Sequence, residues 1–141
     1  MKVLIVDDCW GTRTTMQGLF SKHGHTSRVT DPLPKTDDVG WADVVVFDLG
    51  EDHDTCDTIR YFLAAFPDKP AVIRTACDPR EFVGSHATVI GKHIPSNALV
   101  EYARQAFDNA RKRHAATKSI VDRVSSLIDG ISPTNGQAVH V

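Results

Sequence analysis

The chain opens on an unbroken apolar run, Val3-Leu4-Ile5-Val6, that stops at two acids, Asp7 and Asp8. A short β-rich run closed by polar residues predicts a buried strand over 2–6. The figure recurs: residues 26–29, 42–47 (Ala-Asp-Val-Val-Val-Phe, running into Asp48), 71–74 and 87–90 predict four more strands. Between them the apolar positions change to helical spacing. Met16, Leu19 and Phe20 predict a helix over 12–23, capped at Gly11 or Thr12 and closed by Gly24. Ile59, Phe62, Leu63 and Phe66 predict another, from Asp54 or Thr55 to Phe66, stopped by Pro67. Residues 31–40 hold two prolines, a glycine and three acids, so a helix there is short or irregular. Asp78-Pro79 can start a helix, but Gly84 leaves it only about a turn and a half. Ser96 caps a long last helix that meets no Gly or Pro before Asp129, and the tail after Gly130 reads as linker or frayed end.

Strands alternating with helices, each strand apolar throughout rather than at every second residue, predict a parallel sheet covered on both faces. The last helix carries a heptad frame: Leu99, Ala106, Arg113, Ile120 and Leu127 at one position, Ala103, Ala110, Thr117, Val124 and Ile131 at the other. Its first half is needed to pack on the sheet. Its second half carries an apolar stripe (Ile120, Val121, Val124, Leu127, Ile128) that needs a partner. A homodimer through this helix, or a connection to an output domain outside this chain, is the expectation; folding back on its own domain is the alternative. The predicted organisation is one domain over 1–113 and a helical extension, linker and flexible tail over 114–141.

Composition narrows the class. The chain has 141 residues, 41% apolar and 24% charged, enough for one globular core without a metal or disulfide staple. Apolar runs of six residues at most are too short for a bilayer span or a signal peptide, so a cytoplasmic protein with no membrane contact is expected. Three widely spaced cysteines, Cys9, Cys56 and Cys77, argue against a disulfide framework and fit a reducing compartment; all three fall near the strand-end rim with His53 and His93, which makes a redox or transition-metal use the lesser reading, and their spacing matches no zinc-ligand motif. Residues 1–107 carry a net charge of −4 and residues 108–141 of +2, and neither supports direct nucleic-acid binding. Trp41, just before the third strand, reads as packing or a loop lid.

In an open α/β sheet the functional crevice lies at the carboxyl ends of the strands. Here those ends are Asp7 and Asp8, Asp48, Thr75 and Lys92. Any single Asp at such a place is usually a turn residue or a helix cap. Together they gather three carboxylates, a hydroxyl and an ammonium at one rim. Carboxylates this close repel, and Mg²⁺, which takes one or two carboxylates, a backbone carbonyl and waters, is the natural compensator. A nucleophile, a metal and a cationic clamp are what phosphoryl transfer to a carboxylate requires.

On these residues the chain resembles the receiver domains of two-component response regulators. The resemblance covers roughly residues 1–113 and rests on Val-Leu-Ile-Val-Asp7-Asp8, Val-Val-Val-Phe-Asp48-Leu, Val-Ile-Arg-Thr75-Ala76 and Ile-Gly-Lys92. It implies a flavodoxin-like doubly wound five-stranded sheet of order 2-1-3-4-5 and a phosphoryl-accepting switch rather than an enzyme. It further implies Asp48 as the acceptor of phosphoryl from a sensor histidine kinase or phosphotransfer protein, with Thr75 and Lys92 holding the phosphoryl oxygens. Asp7, Asp8, Asp48 and the carbonyl of Gly50 would bind Mg²⁺. The chain departs from the family in having Lys92-His93 for Lys-Pro, Val89 where an aromatic switch residue is usual, and a shortened segment between Thr75 and Lys92. These departures keep a second expectation in view, a phosphorylation-independent dimerisation scaffold. A small phospho-aspartate hydrolase is a third, but Asp48-Leu49-Gly50 lacks that family's Asp-x-Asp.

Overall fold

The computed structural model describes residues 1–30, 34–49, 53–82 and 86–140. Five strands, β1 (Lys2–Asp7), β2 (Thr26–Thr30), β3 (Val44–Asp48), β4 (Ala71–Thr75) and β5 (Thr88–Gly91), alternate with helices α1 (Trp10–Lys22), α2 (Thr36–Trp41), α3 (His53–Ala65) and α4 (Leu99–His140). Two 3-10 turns, Pro79–Phe82 and Ser96–Ala98, precede β5 and α4 respectively. The sheet runs in the order β2-β1-β3-β4-β5, and every pairing is parallel. This is the expected topology. β1 and β3 sit inside it, so both faces of each must be covered, and all five residues of β3 are buried.

The two-residue period of each strand divides the core. Leu4, Val6, Val45, Phe47 and Ile73 pack with Val39 of α2 and with Ile59 and Phe62 of α3. Val3, Ile5, Val44, Val46 and Val72 pack with Met16 and Phe20 of α1 and with Leu99, Ala103 and Ala106 of α4. Phe47 and Phe62 meet edge to face, their ring centroids 4.9 Å apart. The helical spacings read from the sequence are thus the faces that seal the sheet.

Local chemistry sets the boundaries. α1 starts at Trp10 with Cys9 at its cap position and no side-chain cap bond, two residues before the expected start. It ends at a turn where Gly24 takes φ +80, a conformation that disfavours any side chain, and donates its N–H to the Ser21 carbonyl at 3.0 Å. α2 is short but regular, and its last residue, Trp41, lies 4.1 Å below the Arg28 guanidinium, a packing role with a cation on the ring. Among the described residues of the shortened connector before β5 there is a 3-10 turn, whose start is held by the Asp78 carboxylate accepting the Arg80 N–H at 2.9 Å. α4 continues across Gly130 and Pro133 to His140, where the composition predicted linker or a frayed end; single-residue propensities are a weak prior against a helix already formed.

The cysteine reading is corrected. Cys56 and Cys77 form a disulfide, and Cys9 is free and exposed. Their separation of 21 residues hides their nearness. Cys56 lies in the first turn of α3 and Cys77 two residues past β4, and successive βα units bring those two points to one edge.

The chain divides into two compact units, Met1–Asp108 and Asn109–Val141. In the second, every described side chain from Arg111 to Ile131 is exposed. None of the described helices is long and apolar enough to cross a membrane.

Candidate functional site

Parallel pairing brings the strand ends to one edge. Asp7 at the end of β1 lies in register with Asp48 at the end of β3, and Asp48 with Arg74 of β4. Thr75 ends β4 in register with Gly91, so Lys92 is the next residue out on β5. Gly91 has a steric role here. A Cβ on it would stand 2.6 Å from the His93 ring, which packs over that stretch of backbone and sets the turn carrying Lys92.

Asp48 is closed to solvent, with its side chain only 3% exposed. The Lys92 ammonium donates a hydrogen bond to its Oδ1. Arg74 adds a second cation, its guanidinium 3.2 Å from Oδ1 and 3.3 Å from Oδ2. The same guanidinium donates to the backbone carbonyls of Ile94 at 2.8 Å and Lys92 at 3.0 Å. It therefore ties the Asp48 carboxylate to the loop after β5. Thr75 is buried, and its hydroxyl accepts the Cys77 N–H at 3.0 Å, which leaves its own proton free to donate.

Asp7 is a contrast. It is equally buried; one oxygen accepts the Cys9 N–H at 2.8 Å, and the other, also buried, has no hydrogen-bond partner among the described residues. Burial pushes its carboxyl above the ordinary value of 3.8, and the neighbouring charges of Asp48 and Asp8 push the same way; the Cys9 N–H and Lys92 only partly oppose them. A buried carboxylate oxygen with no partner, beside two further acids, suits a hard divalent cation. Asp7 and Asp8 are the residues that would hold it, Asp8 being exposed beside the buried Asp7. The oxygens of Asp48 are already engaged by two cations. Gly50, whose carbonyl the resemblance implies as a ligand, lies outside the described residues. Among the described residues the one group of three candidate metal-ligating side chains with donor atoms within 4.8 Å of one another is Cys56, Cys77 and Glu81.

The structure thus brings Asp7, Asp48, Thr75 and Lys92 to one rim, with Asp8 beside them. Sequence reasoning missed Arg74. The signal was present: a charged residue one position before the end of an otherwise apolar central strand. Its meaning depended on the β3–β4 register, which places it opposite Asp48.

No protein-family model and no curated protein sequence matches the chain. Solved structures do. The N-terminal domain of a response regulator/sensory box/GGDEF protein from Carboxydothermus hydrogenoformans superimposes with a TM-score of 0.63 at 21% identity, over 80% of this chain and 98% of that one. A CheY-like response regulator receiver domain protein from Methanospirillum hungatei matches with a TM-score of 0.61 at 16% identity, over 79% of this chain and 97% of that one. NtrX from Brucella abortus, in complex with ADP, matches with a TM-score of 0.59 at 18% identity, over 83% of this chain but only 28% of that one. The chain has the fold of response regulator receiver domains.

Proposed function

We propose that this chain is a phosphoryl-accepting signalling switch, with Asp48 as the acceptor and a sensor histidine kinase or phosphotransfer protein as the donor. The observation that carries this reading is the placement of one buried carboxylate, Asp48, against the Lys92 ammonium and beside the buried Asp7, with the Thr75 hydroxyl at the end of the next strand. An Asp48 oxygen attacks phosphorus in line with the departing imidazole nitrogen. For that attack it exchanges one of its cationic partners for the incoming phosphoryl group. Lys92 stays with the phosphoryl oxygens and neutralises their charge. Thr75 donates its free proton to one of them. Mg²⁺, held by Asp7 and Asp8, would supply further charge neutralisation on the transferring group. Lys92 and Thr75 then retain the phosphoryl on Asp48 until water removes it, so the chain is a switch and not a turnover enzyme. The cytoplasm is the compartment where such a donor acts.

The apolar stripe of α4, with Ile120 59% and Leu127 66% exposed, supports self-association through the second unit. An output domain outside this chain would read the phosphorylated state.

Incubation with acetyl phosphate and Mg²⁺, read by intact mass, tests the assignment. Wild type should gain one phosphoryl group and Asp48→Asn none; equal uptake by both would remove Asp48 as the acceptor. Arg74 favours a second reading. A carboxylate already clamped by two cations is a weaker nucleophile, as in a phosphorylation-independent scaffold. Failure of wild type to bind beryllofluoride, with dimerisation intact, would favour it.

A further inference from the structure

The site reading makes no use of the two cysteines that meet beside it. Cys56 is the fourth residue of α3, in the first turn of a helix of 13 residues. Cys77 follows β4 by two residues. Their sulfurs are bonded to each other. Cys56 is buried, and Cys77 is half-buried and so open to a small reagent. The Cys77 backbone N–H is the group that the Thr75 hydroxyl accepts, at 3.0 Å. The bond therefore anchors the loop that positions Thr75.

Two features argue for a bond that opens and closes. The first unit has two apolar cores, one on each face of the sheet, and needs no staple to fold. The Cys77 side of the bond is also half-buried rather than sealed, so a small oxidant or dithiol can reach it. A metal is the competing use, since the Glu81 carboxylate lies within 4.8 Å of both sulfurs. Glu81, however, is already paired with the Arg60 guanidinium of α3 at 3.1 Å, which leaves the two sulfurs without a free third ligand among the described residues.

We propose that Cys56 and Cys77 are a reversible oxidation site. A hydroperoxide closes the bond, a dithiol opens it, and its state sets how readily Asp48 takes up phosphoryl. The redox chemistry stands on its own, whereas the coupling rests on the phosphoacceptor reading. In the oxidation the Cys77 sulfur attacks the peroxide, forming an S–O bond as the O–O bond breaks and water or an alcohol leaves. The Cys56 thiolate then attacks the Cys77 sulfur, forming the S–S bond, and the hydroxyl departs as water with a proton from the medium. The two thiols lose two electrons and the peroxide gains them. A dithiol reverses the change by exchange and leaves as its own disulfide. The closed bond fixes Cys77 and holds the Thr75 hydroxyl toward the Cys77 N–H. The open pair frees Cys77 and its N–H from that position, so the Thr75 hydroxyl, fixed at the end of β4, can turn toward the phosphoryl group.

The full-length chain is reduced with dithiothreitol, freed of it, titrated with hydrogen peroxide, alkylated, and digested without reductant. A Cys56–Cys77 linked peptide should form, revert under native conditions with dithiothreitol, and leave Cys9 open to alkylation. The reduced protein should then take up phosphate from acetyl phosphate about fivefold or more faster than the oxidised form, the lower end of ordinary coupling between sites. Phosphate uptake by Cys77→Ser should be indifferent to peroxide. Cross-links through Cys9, or overoxidised Cys77 with no linked peptide, would overturn the proposal. So would a linked peptide that yields to dithiothreitol only in denaturant, which marks a structural bond. Zinc bound one to one by the reduced chain, shielding both thiols from alkylation, would overturn it in favour of a metal site. Reversible closure with equal uptake by both forms would overturn the coupling and leave Asp48 as the acceptor. No uptake by either form would overturn the acceptor reading instead.

Discussion

The strand-end rim of the first unit and the exposed stripe of the second break the usual inside-outside rule in opposite directions. At the rim, Asp7 and Asp48 lie in register and both are closed to water. Along α4, Ile120, Val124 and Leu127 are about half exposed or more, the lowest of them Val124 at 48%. Each arrangement costs free energy unless something answers it. At Asp48 the answer is internal, the cations of Lys92 and Arg74. At Asp7 one oxygen is unanswered. Along α4 nothing among the described side chains of the second unit covers the stripe, since every one from Arg111 to Ile131 is exposed. The comparison teaches where to look for partners. The places to test are Asp7 for a cation and the exposed stripe of α4 for an apolar surface. Four substitutions test it, ranked by their effect on unfolding free energy at high dilution.

The largest effect is expected at Asp48. Asp48→Ala leaves two cations facing each other with no anion between them. Breaking a buried pair from one side costs about 3–5 kcal/mol. Lys92, whose side chain is 32% exposed, can turn toward water. The expected loss is therefore about 2–3 kcal/mol, at the screened end of that range. Arg74→Gln should cost less, about 1–2 kcal/mol, because Lys92 still neutralises Asp48 while the Ile94 and Lys92 carbonyls lose a charged donor. Urea unfolding followed by circular dichroism measures both. A cost below about 0.5 kcal/mol for Asp48→Ala would mean that water answers the charge and the contrast with Asp7 is void.

Asp7 should respond with the opposite sign. Asp7→Asn keeps an oxygen for the Cys9 N–H and removes a buried charge, so the metal-free protein should gain about 1 kcal/mol at pH 7. The folded protein holds the Asp7 proton at pH values where the unfolded chain has lost it, because its carboxyl is raised above 3.8. Wild type therefore loses stability as pH rises from 3.8 through the raised value, and the advantage of the variant grows over that window and then levels off. Mg²⁺ should raise the melting temperature of wild type and not that of the variant. Equal Mg²⁺ stabilisation of both would place the cation elsewhere.

The sequence made the sheet legible because a buried parallel strand has a plain signature, and β1, β3 and β4 carry it in full. It also placed Asp7, Asp48, Thr75 and Lys92, since each ends or follows an apolar run and the crevice rule does the rest. Arg74 and the Cys56–Cys77 bond were illegible for one shared reason. Their meaning lies between neighbouring βα units, in the β3–β4 register and in the approach of the first turn of α3 to the loop after β4. Periodicity along one segment carries no such information. The start of α1 was misjudged because no Ser, Thr, Asp or Asn caps it; its cap position is Cys9, whose side chain makes no cap bond.

The smallest effect is expected on the helix, and that smallness is the point of the test. Leu127 is 66% exposed, so Leu127→Gln removes little packing within the described chain. Leu and Gln have nearly equal helix propensity. At high dilution the unfolding free energy should therefore change by no more than about 0.5 kcal/mol. Self-association should behave differently. Burying a Leu side chain contributes about 1.5–3 kcal/mol, and a two-fold contact loses it twice. Each 1.4 kcal/mol is about a tenfold change in dissociation constant, so the variant should dissociate at least about a hundredfold more readily than wild type. Sedimentation equilibrium across a wide concentration range separates the two quantities. A variant that self-associates like wild type would show that Leu127 lies off the contact. A wild type that stays monomeric at tens of micromolar would show that a second copy of the chain does not cover the stripe. A variant that unfolds more easily at high dilution would mean that Leu127 is covered within its own chain, and the contrast between the two regions would disappear.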